Sequence, residues 1–120
     1  MAIEITGLDV KSGLALCGGD EAIYANALRL YVSNIPPALE KMRNVSENTL
    51  QNYAVSVHGI KSTSEYIGAE EARSTAKQLE AMAKSGDLTG VLAKNDAFVK
   101  YVEQLVDRIR SWLEKNNASG

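Results

Sequence analysis

Apolar residues recur along this chain at intervals of three and four, the spacing that gathers them on one face of a helix. A short first helix is predicted after Asp9, running through Leu14 and Leu16 to the Gly18-Gly19 turn. A second starts at Asp20, an acceptor suited to an N-cap, with Glu21 in its first turn. Its apolar positions are Ile23, Tyr24, Ala27, Leu28, Leu30, Tyr31 and Ile35. Pro36-Pro37 is expected to kink or briefly break it, because proline lacks the amide a helix interior needs. Ala38, Leu39 and Met42 continue the pattern to about Arg43.

The third helix begins between Ser46 and Thr49, where Ser46, Asn48 and Thr49 can each cap, and runs to about Ile67 before stopping at Gly68. The fourth starts with Ala69, Glu70 and Glu71, carries Ala72, Ala76, Leu79 and Met82 on one side, and ends at Lys84 before Gly86. The last follows Asp87. Asn95-Asp96 reads as punctuation within it, with Asp96 capping a restart. Phe98, Val102, Leu105, Ile109 and Leu113 then form a stripe that belongs in a core, with Trp112 beside it. No strand alternation stands out, and NNASG at the C-terminus is expected to fray. The pattern predicts an all-α fold: an antiparallel up-down-up-down four-helix bundle preceded by a short additional N-terminal helix.

Composition narrows what such a bundle can do. A length of 120 residues suits one domain spanning 1–120 with its own core. The net charge of −2 and the absence of a basic run argue against nucleic acid. No apolar stretch approaches the ~20 residues that cross a bilayer, and MAIEITGLDV is not organised as a signal peptide. One cysteine, Cys17, fits a reducing cytoplasmic setting. One histidine and one cysteine give no paired metal ligands, and Gly18-Gly19 lacks the residues of a phosphate-cradling loop. Charged polar faces without a second long apolar stripe point to a monomer.

The single histidine, His58, sits inside the third helix. On a wheel advancing ~100° per residue, Tyr53, Val57, Ile60 and Ile67 form the buried stripe. Gln51, Ala54, Val55, Lys61, Ser62 and Glu65 fall within ~60° of His58, which places the imidazole near the middle of the outward face. Lys61 is one turn away, where a cation opposes a metal but favours an arriving anion, and Ser62 adds a hydroxyl. Imidazole, cation and hydroxyl together suit a nucleophilic histidine that accepts a phosphoryl group. Ala54 and Val55 are small apolar residues on this otherwise polar face and, with Gln51 and Glu65, are candidates for partner contact. Leu14, Ala15 and Cys17 either extend that patch or pack in the core. Tyr24 and Tyr31 read as core or rim.

HGIKSTSEYIGA, residues 58–69, resembles the phosphorylation motif of histidine-containing phosphotransfer (HPt) domains: His, two residues, Lys, then Gly or Ser, with a break after the helix. GLDVKSGLALCGGDEAIYANALRLYVSNIPPALEKM, residues 7–42, resembles the family's short helix, Gly-Gly-Asp turn and long helix, and AKQLEAMAKSGD, residues 76–87, resembles its next helix and exit.

The resemblance implies that His58 is phosphorylated, at Nε2, that Lys61 offsets the phosphoryl charge, and that Ser62 fills a small-residue position leaving room for a partner's active site. Gly68 is the break after the helix, and Gly59 falls at a variable position. It implies a phosphoryl carrier in two-component multistep phosphorelays, without ATP binding or autokinase activity. Its partners are response-regulator receiver domains and a sensor or hybrid histidine kinase; Mg²⁺ belongs to the receiver, and the chain needs no cofactor. The phosphoacceptor domain of a chemotaxis-type kinase is a close variant. A helical interaction module that never meets phosphate stands as the alternative.

Overall fold

The computed structural model describes residues 3–116, and the described residues are helical or connecting. The short helix α1 spans Val10–Leu16, followed by α2, Glu21–Met42. A 3₁₀ turn, Glu47–Thr49, leads into α3, Leu50–Ile67, and then come α4, Glu70–Lys84, and α5, Leu88–Asn116. Helix α3 packs against α2 and most extensively against α4, and α5 closes the ring by contacting both α2 and α4. Short links make neighbours antiparallel, so the four long helices form the expected up-down-up-down bundle.

The helix ends follow from local chemistry. Asp20 accepts from the amides of Ala22 at 2.9 Å and Ile23 at 3.2 Å, satisfying donors left free at the start of α2. Ser46 and Thr49 form a reciprocal cap before α3. At the other end of α3, Ala69 N donates to Ser64 O and Gly68 N to Glu65 O, a Schellman closure that needs a left-handed residue. Gly68 supplies it, with φ of 81°. The Asp9 amide donates to the Gly68 carbonyl at 2.8 Å, pinning the entry of α1 to the end of α3. Gly13 of α1 then lies so close to α3 that a Cβ there would meet the Tyr24 ring and come within 2.9 Å of the Ile67 carbonyl.

The core joins one face from each helix: Tyr24, Leu28, Tyr31, Ile35, Leu39 and Met42 from α2; Tyr53, Val57, Ile60 and Ile67 from α3; Ala72, Ala76 and Leu79 from α4; and the α5 stripe. Both α2 tyrosines are buried with their hydroxyls engaged. Tyr24 donates to Ile67 O at 2.6 Å, and the Tyr31 hydroxyl lies 2.9 Å from Ser64 Oγ. Cys17 is also buried, so of the predicted extension of the outer patch it belongs to the core.

Two expectations about continuity are corrected. Helix α2 runs unbroken through Pro36 and Pro37. Ile35, Leu39 and Met42 all bury on one face, and their packing holds the last turns in line despite two missing amide donors. Helix α5 is also unbroken through Asn95 and Asp96. Asn95 is a buried tie: its Oδ1 accepts from the Tyr53 hydroxyl and its Nδ2 donates to the Met42 carbonyl, both at 2.9 Å. The fraying expected of NNASG lies beyond the described residues, except for Asn116, the last described residue, which is helical. No described helix is long and apolar enough to cross a membrane.

Candidate functional site

Helix α4 carries small residues, Ala72, Ala76 and Ala83, on the face it buries. They permit close approach to α3 and leave room in that face for Glu80, whose side chain is only 5% exposed. Its carboxylate is fully engaged. Oε2 lies 2.7 Å from Nδ1 of His58 and 3.0 Å from Nζ of Lys84, and Oε1 lies 2.6 Å from Nζ of Lys61. Burial pushes the Glu80 carboxyl up, but hydrogen bonds from Lys61, Lys84 and His58 outweigh it and bring it down to about 2. An ionised carboxylate can only accept, so the proton between Glu80 and His58 sits on Nδ1 of the imidazole.

That contact fixes the chemistry of the ring. With Nδ1 donating, the lone pair belongs to Nε2, which has no hydrogen-bond partner among the described residues. The His58 side chain is 56% exposed, so the ring is anchored on one edge and open on the other. Lys61 and Lys84 put two cations beside one anion, leaving the three groups with one positive charge in surplus next to the imidazole. Such a group offers a nucleophilic nitrogen in a setting that welcomes an anion. Among the described residues no three or more His, Cys, Asp and Glu side chains gather as metal ligands would.

His58 is not in the middle of the outward face. It leans toward the seam between α3 and α4, because its partner lies on α4. Ala54, one turn earlier and on the same side of His58 as Lys61, is buried in the core, contrary to the expectation that it is exposed. The wheel places Ala54 near His58 correctly, but it contains only α3 and not the helix packed beside it. Gln51, Val55, Ser62 and Glu65 are exposed, the first three on the side of the histidine away from Ala54. Val55 stands out, an apolar side chain 73% exposed. Lys61 is brought to His58 through the shared carboxylate.

Glu80 is the residue the sequence reading lacks. Its signal is a carboxylate spaced four and eight residues after Ala76 and Ala72 and three before Ala83, inside an otherwise apolar stripe. An acid in that position must find partners across the interface.

The site is thus a histidine on a four-helix bundle, held on a buried carboxylate at Nδ1 and open at its other nitrogen. The Hpt domain family model matches residues 26–112, most of the chain and all of α3 and α4. The chain belongs to the Hpt domain family, whose members act in phosphotransfer within histidine phosphorelays. Comparison with the curated proteins and with the solved structures found no match.

Proposed function

We propose that His58 is the phosphoryl acceptor and donor of a two-component multistep phosphorelay. The observation that carries this reading is the 2.7 Å contact between Nδ1 and Glu80, which leaves the nucleophilic lone pair on the outward Nε2. The Nε2 lone pair attacks the phosphorus of an aspartyl phosphate on a receiver domain. The N–P bond forms, the P–O bond to the aspartate breaks, and the aspartate leaves as a carboxylate. The ring gains positive character, and Glu80 stabilises it through the Nδ1 proton. The reverse transfer delivers the group to a response-regulator aspartate or returns it to the first receiver.

Lys61 and Lys84 offset the phosphoryl charge of nearly two negative units. Ser62, one turn beyond His58, is small enough to admit the receiver's active site. Gln51, Val55 and Glu65 meet the receiver, with Glu65 tuning partner choice. The receiver holds the Mg²⁺, and a sensor or hybrid kinase supplies phosphate upstream. The chain itself acts as a carrier without ATP chemistry, a monomer working in the cytoplasm as a single domain.

The test is transfer from a phosphorylated receiver to the protein and to a His58→Gln variant. Acid-labile, base-stable phosphate on the native chain alone is the expected result. No label from any receiver, with helical folding intact, would favour an interaction module that never meets phosphate.

A further inference from the structure

Gly59 follows the acceptor histidine in the interior of α3, where glycine holds a helix less well than alanine. Nothing inside the chain explains it. The backbone there is not left-handed, and a Cβ built on it would meet nothing within 4 Å beyond its chain neighbours and the adjacent backbone of α3 itself. Helix α3 is continuous through this turn, where the Thr63 hydroxyl donates back to the Gly59 carbonyl at 2.8 Å. The other helical glycines differ in kind. Gly13 is pressed against Tyr24 and Ile67, and at Gly90 a Cβ would meet Asp87 and Met82.

The surroundings of Gly59 suggest what the missing side chain serves. At ~100° per residue, Val55, Ser62 and Tyr66 all lie within ~60° of it on α3. Val55 is 73% and Tyr66 42% exposed, two apolar side chains separated by a glycine and a serine. The ridge therefore dips to bare backbone about 100° around α3 from the acceptor. A donor whose phosphate sits on an aspartate, the shortest acidic side chain, must bring its own backbone close to α3 before phosphorus can reach Nε2. A small phosphoryl donor has no such need.

We propose that Gly59 is a clearance residue. It lets the phosphoaspartate-bearing segment of a receiver domain lie against the α3 backbone, with Val55 and Tyr66 gripping on either side, and so determines which donors His58 can use. This rests on the phosphoacceptor reading of His58.

The test compares Gly59→Ala and the bulkier Gly59→Leu with the native chain in three measurements: thermal midpoint, labelling by phosphoramidate, and transfer from a phosphorylated receiver that labels the native chain. Gly59→Ala should raise the midpoint by several degrees and take label from phosphoramidate at the native rate. Its receiver transfer should fall roughly tenfold, carried mainly by KM, and Gly59→Leu should lose more. Receiver transfer at the native rate in both variants overturns the proposal. A lowered midpoint in Gly59→Ala, or phosphoramidate labelling that falls in step with receiver transfer, also overturns it, because the glycine then serves the fold or the imidazole itself. A native chain that neither donor labels defeats the phosphoacceptor reading, and this proposal with it.

Discussion

Oε2 of Glu80, on the buried face of α4, lies 2.7 Å from Nδ1 of His58, on the rim of α3. One contact across a helix seam thus decides which nitrogen of the histidine is available. Two lysines hold the carboxylate ionised, one from α3 and one a turn further along α4. Position, tautomer and charge of the site all depend on the packing of these two helices.

Glu80→Gln keeps the size of the side chain and removes its charge. The imidazole then loses its fixed tautomer. Nitrogen NMR of the native ring should show the proton on Nδ1 above the titration of the histidine, and the variant should show a mixture. Phosphorylation of His58 should slow by roughly tenfold, the equivalent of about 1.4 kcal/mol in the barrier. A variant with the native tautomer and native rate would show that Glu80 merely fills space.

The same carboxylate sets part of the acid stability. Its folded-state pKa, about 2, is depressed from the ordinary 4.5. A depressed acid contributes stability that is fully present above the unfolded value and is lost as pH falls through the folded one. The Glu80 contribution should therefore decline between about pH 4.5 and 2. Urea unfolding across that window checks it: the native chain should lose stability more steeply with acid than Glu80→Gln, and parallel curves would contradict the ionised, paired carboxylate.

Asn95 joins three helices and makes no hydrogen bond to His58 or Glu80. In Asn95→Ala the buried Tyr53 hydroxyl and Met42 carbonyl both lose their partner. A destabilisation of about 2–4 kcal/mol is expected in urea unfolding, with phosphoramidate labelling of the folded variant unchanged.

Gly13→Ala introduces a methyl group against Tyr24 and the Ile67 carbonyl. Either α1 withdraws or the end of α3 shifts, at a cost of about 1–3 kcal/mol. Hydrogen exchange should report the site of damage: the Asp9 amide, bonded to Gly68 O, should lose protection before the centre of α5 does.

The helix borders are legible because each is written in local chemistry: Asp20 as a cap, Gly68 as a left-handed stop, Gly86 as a second such turn. The buried faces are equally legible from their spacing. What escapes the sequence depends on contacts between helices. Asn95-Asp96 looks like punctuation because polar pairs favour turns, yet Tyr53 and the Met42 carbonyl make Asn95 an interior residue. Pro36-Pro37 looks like a break until the packing of Ile35, Leu39 and Met42 is counted. Ala54 lies near His58 on the wheel, yet it is buried by neighbours that a wheel of α3 alone does not contain. Glu80 has Lys84 four residues later, the spacing of an ordinary surface ion pair, and only its place among the alanines of α4 marks it as buried. His58, Lys61 and Ser62 are visible because they share one turn of one helix.

The most direct measurement is to find the phosphorylated atom. The protein, labelled with nitrogen-15 in its histidine and phosphorylated by a receiver or by phosphoramidate, can be read by phosphorus–nitrogen correlation NMR. Coupling of phosphorus to Nε2 of His58, with the proton retained on Nδ1 against Glu80, is the expected result. Phosphate on Nδ1, on another residue, or nowhere on a folded chain would contradict the role given to His58 and to the carboxylate behind it.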